Sequence, residues 1–223
     1  MTETVRPIDT VLFDIDGTLT DSNDVVFRSL QQVIAESAEA GQEFPDDLSF
    51  AIGLPSVETI RRLGFKDRDR VLKLWEQRFR EMSGQITIFP GVPETLTTLR
   101  AAGLRLGLVT SKNREELDHD LGRLDLFKWF DAAVCSSDTR YPKPHPEPLL
   151  KAIDDLRADP RSALYVGDSP YDEQCAAGAG VPFGLAGWGS AWNGRLRADY
   201  VFRVPMDVVT LVLGAGRKAK EVG

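Results

Sequence analysis

The sequence predicts an α/β fold in which a parallel sheet is covered by helices on both faces. Two observations support this prediction. Apolar, β-rich runs recur along the chain, and segments with helical spacing lie between the later runs, several of them closing on a glycine where a helix would end. Strands that alternate with helices form parallel sheets buried on both faces, and their apolar runs are nearly continuous.

The predicted elements are short and regularly placed. Apolar runs predict strands at 8–13, 104–109, 132–136, 163–167 and 181–186. Helical spacing predicts helices at 93–103, 113–124, 147–156 and 172–180. From the second strand onward, strand and helix therefore alternate in the order that a parallel sheet requires.

The interval between the first two strands is different, because it is long and rich in helical pattern. Its helical segments are 25–41, 55–64 and 69–82. Turn-forming residues mark both of its joints, in DSND from Asp21 and in FPGVP from Phe89. An insert of this length predicts a helical cap domain over 21–88, which leaves 1–20 and 89–223 as the catalytic core.

Composition excludes several classes of protein. The 223 residues are 42% hydrophobic and 27% charged, which is enough to bury a core. The net charge of -7, with no basic cluster beyond GRKAK at 216–220, offers no footprint for nucleic acid or an anionic membrane. No apolar run approaches the roughly 18 residues of a membrane span. We therefore expect a soluble, cytoplasmic protein with a small-molecule partner.

The two cysteines do not indicate a disulfide framework or a thiolate metal site. Cys135 and Cys175 lie in apolar or small-residue surroundings and lack the CxxC spacing. We expect both to be reduced thiols in the core.

The strongest chemical signal is DIDGTLTDS at 14–22. Asp14 and Asp16 follow a predicted buried strand, and Gly17 allows the chain to turn. In an open α/β sheet, active-site loops lie at the carboxyl ends of the strands. An ordinary turn with solvated carboxylates would show the same pattern, so this motif needs support from others.

A second acidic motif, GDSPYD at 167–172, follows another predicted strand. Its carboxylates, Asp168 and Asp172, could converge with those of the first motif. Two like charges about 4 Å apart repel by about 4 kcal/mol at an effective dielectric constant of 20, so a cluster of four requires a cation or protons. Oxygen ligands without His or Cys favour a hard cation, and Mg²⁺ is the natural one.

Two further strand ends carry groups that suit a phosphate. Thr110 and Ser111 follow the strand 104–109, and Lys143 lies in the loop YPKPHP. A hydroxyl, backbone N–H groups and an ammonium are what phosphoryl oxygens require. Alone, Thr110 is typical of a strand-end cap and Lys143 of a solvated lysine, but chance does not explain all of these groups together on four strand ends.

These four motifs, DIDGT, LVTSK, the KPHP loop and GDSPYD, resemble those of the haloacid dehalogenase (HAD-like) superfamily over nearly the whole chain. The resemblance implies a Rossmann-like, three-layer core in which the first and fourth core strands are neighbours, so that Asp14 lies beside Asp168. It also implies a helical C1 cap inserted after the first strand, a phosphoric monoester hydrolase activity, and Mg²⁺ as cofactor. Asp16 indicates phosphoryl chemistry, because the dehalogenase branch lacks this second aspartate.

The resemblance further implies roles for single residues. Asp14 would attack phosphorus to form an aspartyl-phosphate, and Asp16 would act as general acid and then general base. Mg²⁺ would be held by the Asp14 carboxylate, the Asp16 backbone carbonyl and the Asp168 carboxylate, whereas Asp172 would order a metal-bound water or Lys143. The transferring oxygens would be held by Thr110, Lys143 and the backbone N–H groups of Ile15, Asp16 and Ser111.

The cap segment AIGLPS at 51–56 is similar to the cap loop of phosphoglycolate-phosphatase-like members. Near it, Arg61 and Arg62 could meet an acidic substrate, or they could be solvated on the helix surface. A closing cap would exclude water and contact the leaving group.

Other activities stay open at this point. A sugar-phosphate mutase of the same superfamily uses the same aspartate pair, although the basic, glycine-containing cap loop of hexose-phosphate mutases is not found here. A phosphonate hydrolase needs a cap lysine, which 51–63 lacks. A catalytically silent phospholigand-binding protein is the alternative from another class. The natural substrate and the oligomeric state are not predicted: phosphoglycolate, nucleoside monophosphates, sugar phosphates and pyrophosphate all remain candidates.

Overall fold

The computed structural model describes residues 7–190 and 196–218. Its strands are β1 (Thr10–Phe13), β2 (Thr20–Asp21), β3 (Thr87–Ile88), β4 (Arg105–Val109), β5 (Ala132–Val134), β6 (Ala163–Gly167), β7 (Phe183–Ala186) and β8 (Tyr200–Phe202). Its α-helices are α1 (Asn23–Ser37), α2 (Ser56–Arg62), α3 (Arg68–Met82), α4 (Val92–Ala101), α5 (Arg114–Leu124), α6 (Glu147–Asp155), α7 (Pro170–Ala179) and α8 (Met206–Lys218).

Six of the strands form one sheet in the order β5-β4-β1-β6-β7-β8, and every neighbouring pair is parallel. The predicted α/β fold is confirmed. β1 lies between β4 and β6, so the chain leaves the first strand at the centre of the sheet and continues on both of its sides. This is a topological switch point, where open parallel sheets bind their ligands.

Alternation along the strands builds two apolar layers, one on each face of the sheet. In β1, Val11 and Phe13 point into one layer and Leu12 into the other. Helices α4, α5 and α8 contribute to the first layer, and α6 and α7 contribute to the second. Burying an aliphatic or aromatic side chain of this size is worth about 1.5–3 kcal/mol. Strands buried on both faces therefore hold the carboxyl edge of the sheet rigidly.

One predicted strand is shorter than expected. The run 132–136 forms a strand only over Ala132–Val134, and a 3₁₀ turn follows at Ser136–Asp138. The Asp138 carboxylate accepts hydrogen bonds from the backbone N–H of Cys135, at 2.9 Å, and from its thiol. This local capping competes with further pairing, so the strand ends early. Cys135 and Cys175 are both buried free thiols.

The helical insert has an apolar cluster of its own. Leu30 and Val33 from α1 meet Ile60 from α2 and Trp75 from α3. The Trp75 indole N–H donates to the Ser29 hydroxyl at 2.9 Å, which satisfies the polar end of the buried ring. β2 and β3 pair as an antiparallel ribbon where the insert leaves and rejoins the core. The exact domain boundaries, 21–88 against 1–20 and 89–223, stay a prediction.

Within the two described ranges, the helices are too short or too polar for any of them to cross a bilayer.

Candidate active site

Three of the predicted acidic side chains meet at the carboxyl edge of the sheet. Asp14 follows β1 directly and Asp168 follows β6, and these strands are neighbours. Asp172 lies in the first turn of α7. One carboxylate oxygen from each of the three lies within 4.8 Å of the others. The sheet topology thus brings together side chains that are far apart in sequence.

Lys143 stands at the centre of this cluster, fully enclosed. Its ammonium donates to Asp14 Oδ1 at 2.8 Å and to Asp172 Oδ1 at 2.7 Å. It also donates to the Tyr165 hydroxyl at 3.1 Å and to the Val109 carbonyl at 3.3 Å. The two carboxylates hold the pKa of Lys143 above its usual value despite the burial. A permanent positive charge therefore lies beside Asp14.

Both oxygens of Asp172 are engaged. Besides Lys143, Oδ1 accepts from the Tyr165 hydroxyl at 2.7 Å. Oδ2 accepts from the Ser169 backbone N–H at 3.1 Å and from its hydroxyl at 2.6 Å, which forms a capping box at the start of α7. Asp172 was expected to order either a metal-bound water or Lys143. Its contacts agree with the second of these functions.

Tyr165 is a site residue that the motifs did not indicate. Its ring lies in β6, and its hydroxyl joins Asp172, Lys143 and the Val109 carbonyl. Burial and the neighbouring carboxylates raise the pKa of Tyr165 well above its usual value, so it stays a neutral donor. The sequence signal for a site role of Tyr165 was its hydroxyl, which stands alone within the apolar run ALYVG.

Two buried oxygens of the cluster lack a partner. Among the described residues, Asp14 Oδ2 and Asp168 Oδ2 make no hydrogen bond. Burial raises the pKa of Asp14 to about 7, and it also raises that of Asp168, with a further contribution from the charges of Asp172 and Asp14. Buried carboxylate oxygens without a partner are costly unless a cation or a proton meets them. The donor set fits a hard divalent cation such as Mg²⁺.

Gly17 is required by the close approach of the first loop to Asp168. Its φ is +76°, and a Cβ at this position would lie 2.2 Å from Asp168 Oδ2. Thr18 supports the same carboxylate, since its hydroxyl donates to Asp168 Oδ1 at 3.2 Å. The backbone of the DIDGT turn thus packs directly against the Asp168 carboxylate of the GDSPYD motif.

Asp16 lies to one side of this cluster and is partly exposed. Its Oδ1 accepts from the Ser22 hydroxyl at 2.7 Å, and its Oδ2 lies 2.9 Å from the ammonium of Lys112. Lys112 also pairs with Asp120 at 2.9 Å, and these acids hold its pKa above the usual value. Lys112 was not assigned a role from the sequence. Its place two residues after Thr110 in LVTSK was the signal.

The predicted phosphate-holding groups lie around the same opening. Thr110 is buried at the end of β4, and its Oγ1 accepts from the Lys112 backbone N–H at 3.2 Å. The side chain of Ile15 is fully buried in the core, which leaves its backbone as the group available to a substrate. The hydroxyl of Ser111 donates to the Gly53 carbonyl at 2.6 Å, so its side chain contacts the cap.

A cavity of about 60 Å³ lies between the core and the cap. The core side is lined by Asp14, Asp16, Thr110, Ser111, Lys112 and Glu116, and the cap side by Val26, Ala51, Ile52, Gly53, Leu54, Ser56, Trp75, Glu76 and Phe79. One enclosed water molecule needs about 10–15 Å³, so the cavity holds a group of only a few heavy atoms.

The cap segment at 51–56 lies along one side of this cavity. Its Gly53 carbonyl accepts from Ser111, and the Ser56 hydroxyl donates to Glu116 at 3.1 Å. The Tyr171 hydroxyl, from the GDSPYD motif, donates to the Phe50 carbonyl at 2.8 Å. The cap therefore contacts the loops that follow both β4 and β6.

The arginine pair of α2 does not line the cavity. Arg61 pairs with Glu58 on the same helix. Arg62 also contacts Glu58 and donates to the Tyr171 hydroxyl at 3.1 Å. Their structural contacts account for both residues, so neither is in place to meet an acidic substrate.

The segment after β7 borders the first motif. The Trp188 indole N–H donates to the Thr18 carbonyl at 2.9 Å, and the Ser190 hydroxyl donates to the Asp168 carbonyl at 2.7 Å. These contacts place residues 187–190 at the border of the site. Residues 191–195, which include Trp192, lie outside the described ranges.

Clustered carboxylates and a buried lysine thus lie at the carboxyl edge of a parallel sheet, under a helical cap. Together these features indicate an enzyme that transfers phosphoryl groups. Residues 11–186 match the family model described as haloacid dehalogenase-like hydrolase, and the chain belongs to that family.

Known relatives and solved structures agree with this assignment. The chain is 30% identical over 210 residues to the pyrophosphatase PpaX of Bacillus velezensis, covering 92% of this chain and 97% of the relative. A protein of Lactobacillus plantarum, assigned provisionally as a phosphoglycolate phosphatase, superposes with a TM-score of 0.79 at 29% identity, over 92% of this chain and 100% of its own. The predicted enzyme class, a phosphoric ester hydrolase of this family, is confirmed by such relatives.

A mutase also shares the fold. A protein of Thermotoga maritima, assigned provisionally as a β-phosphoglucomutase, superposes with a TM-score of 0.70 at 25% identity, over 92% of this chain and 100% of its own. The family fold thus accommodates both hydrolysis and phosphoryl transfer within a substrate.

Proposed function

We propose that the protein is a Mg²⁺-dependent phosphatase that hydrolyses a small phosphate monoester through an aspartyl-phosphate on Asp14. The observation that supports this most directly is the arrangement of Asp14 itself. One of its oxygens is fixed by Lys143 at 2.8 Å, and the other is buried next to Asp168 without a partner among the described residues. Lys143 thus gives the nucleophile a defined direction, while the second oxygen is available to a cation.

Mg²⁺ would be held by the carboxylates of Asp14 and Asp168 together with the backbone carbonyl of Asp16. The two carboxylate oxygens without a partner support the first part of this assignment. When bound, the ion supplies positive charge that lets an anionic nucleophile approach an anionic phosphate.

In the first half of the reaction, an Asp14 oxygen forms a bond to phosphorus while the bond from phosphorus to the ester oxygen breaks. Asp16 donates a proton to the leaving oxygen. In the second half, Asp16 takes a proton from a water molecule, which attacks phosphorus and releases inorganic phosphate and free Asp14. Ser22 and Lys112 hold the two oxygens of Asp16 in place beside the cavity, where the leaving oxygen and the water molecule would lie.

Lys143, Thr110 and the backbone N–H groups of Ile15, Asp16 and Ser111 hold the phosphoryl oxygens in this proposal. Lys143 is the best supported of them, because burial excludes water from its charge and the cluster fixes its position. Interactions that strengthen as charge moves onto the equatorial oxygens raise the turnover rate more than substrate affinity.

The cap narrows the space beside Asp14 and Asp16. A cavity of about 60 Å³ there favours a small leaving group over a nucleoside. Esters with alcohol parts of two to three carbons are therefore the first candidates, and pyrophosphate is included because of the named relative PpaX.

The proposal is tested by phosphate release from a panel of small phosphate esters and pyrophosphate, with Mg²⁺ and with EDTA. We expect turnover that requires Mg²⁺ and disappears in Asp14→Asn. Asp46→Asn, which removes one exposed carboxylate of a cap loop, serves as a control and should keep full activity. Near-normal turnover by Asp14→Asn would refute the nucleophile assignment.

A sugar-phosphate mutase is the second candidate, favoured by the structural likeness to the Thermotoga maritima protein. The two activities differ in the acceptor of the phosphoryl group, which is water or a second hydroxyl of the substrate. Incubation with hexose monophosphates separates them: a mutase forms an isomer without net phosphate release, whereas the proposed phosphatase releases phosphate.

A further inference from the structure

The leaving-group end of the cavity carries an excess of negative charge. Of the described residues that line the cavity, Lys112 is the single cation, whereas Asp14, Asp16, Glu76 and Glu116 are acids. Lys112 is already paired with both Asp16 and Asp120 at 2.9 Å. Its charge is thus balanced within the protein before a substrate enters.

Glu76 differs from the other acids because it has no partner. Glu116 caps α5, where its Oε2 accepts from the Asn113 backbone N–H at 2.7 Å, and its Oε1 accepts from Ser56. Glu76 projects from α3 of the cap and makes no hydrogen bond or ion pair with any residue of the described ranges. The nearby Arg80 is paired with Glu115. A half-buried carboxylate is therefore free to contact the leaving group.

The surroundings of Glu76 favour a hydrogen-bond donor over an anion. Burial raises the pKa of Glu76, and the charges of Glu116 and Glu115 raise it further, whereas Arg80 and Lys73 offset only part of this. The wall beside it consists of Trp75 and Phe79, which exclude water and strengthen electrostatic effects. An anionic group placed here would meet repulsion, whereas a hydroxyl or an ammonium would give Glu76 the partner that it lacks.

We propose that Glu76 determines substrate specificity, and that the substrate is a small phosphate monoester whose alcohol part carries no negative charge and offers a hydroxyl or amine to this carboxylate. The inference rests on the proposed phosphatase function and narrows its substrate class. It separates this chain from relatives named for pyrophosphate or phosphoglycolate, because in both of these compounds the leaving group is an anion.

The test uses three esters of nearly equal size: 2-phosphoglycolate, 2-hydroxyethyl phosphate and O-phosphoethanolamine, whose leaving groups carry a carboxylate, a hydroxyl and an ammonium. We expect kcat/KM for the last two to exceed that for 2-phosphoglycolate by at least about tenfold. In Glu76→Gln this ratio should fall about tenfold, which corresponds to about 1.4 kcal/mol for one like-charge repulsion. Pyrophosphate should be hydrolysed slowly by the wild type.

Glu81→Gln is the matched control, because it removes the same charge from α3 at an exposed position that pairs with Arg78. It should leave the ratio unchanged. The inhibition constant of inorganic phosphate should be the same in all three proteins, since the phosphoryl end of the site is untouched. A change in that constant in Glu76→Gln would show a general disturbance of the site and would overturn the specificity role.

Binding separates a failure of this inference from a failure of the proposed function. In Asp14→Asn with Mg²⁺, the dissociation constants of the three esters should follow the same order without turnover. If 2-phosphoglycolate binds and reacts best, and Glu76→Gln does not alter the ratio, the inference is wrong although the phosphatase function stands. If none of the esters releases phosphate while the binding order holds, the proposed function fails alone.

Discussion

The burial of Asp14, whose Oδ2 has no partner among the described residues, predicts that the metal-free protein is destabilised by its own nucleophile. Burial raises the pKa of Asp14 from 3.8 to about 7. Below about pH 4 the folded and unfolded chains both carry the proton. Between that pH and 7 the folded chain binds more protons, so stability falls as the pH rises through this range. A rise of this size in pKa corresponds to about 4 kcal/mol.

Asp14→Asn removes this penalty, because asparagine has the same shape and stays neutral. Without metal, we expect the variant and the wild type to be equally stable near pH 4. Above pH 7 the variant should be more stable by up to about 4 kcal/mol, although it is catalytically inactive. Burial raises the pKa of Asp168 in both proteins, and the charge of Asp14 raises it further in the wild type alone, which adds to the difference in the same direction.

The assay is urea unfolding in EDTA from pH 4.5 to 8, followed by the same series with Mg²⁺. Mg²⁺ should stabilise the wild type more above pH 7 than at pH 5, and it should stabilise Asp14→Asn less than the wild type at every pH. Asp46→Asn controls for the loss of one exposed carboxylate. If Asp14→Asn is less stable than the wild type at pH 7.5 in EDTA, the burial argument is wrong.

Three further variants test the site. Asp16→Asn should slow both formation and breakdown of the phosphoenzyme by about 10²–10⁴-fold, measured by rapid quench, while Mg²⁺ still binds through the backbone carbonyl. Gly17→Ala should cost more than about 2 kcal/mol in urea unfolding and weaken Mg²⁺ binding, because φ is +76° and the new Cβ would lie 2.2 Å from Asp168 Oδ2. Tyr165→Phe should cost about 1–2 kcal/mol and lower kcat more than it raises KM, because Lys143 loses a partner at 3.1 Å.

Each of these variants has a control or a contrary result. For Asp16→Asn, loss of Mg²⁺ affinity would show that its carboxylate is a ligand. For Gly17→Ala the control is Gly41→Ala, which has φ of +79° and no atom within 4 Å of the new Cβ. If both substitutions lower the free energy of unfolding equally, the effect comes from backbone strain alone. For Tyr165→Phe, a loss of stability with unchanged kcat would show that the hydroxyl has a structural role only.

The sequence alone predicted five of the six strands of the main sheet and the motifs that follow them. Continuous apolar runs between helical segments specify buried parallel strands, because only such strands are covered on both faces. The motifs at the strand ends then follow from the general rule that ligands bind at the carboxyl edge. The weaker elements were missed: β8 has three residues, and β2 and β3 have two each, which is too short for a periodic signal.

Side-chain pairing was decided by the tertiary structure. Lys112, Asp120 and Tyr165 entered the site because their partners come from other strands and helices, and no local pattern encodes such contacts. The same holds for the cap, where Arg62 binds Tyr171, while Glu76 on the neighbouring helix lines the cavity and has no partner among the residues that the structure describes. Local sequence thus determined the five strands of the sheet that lie in long apolar runs. Packing across the sheet and under the cap determined which charges are neutralised, because electrostatic energy depends on distances that only the folded chain fixes.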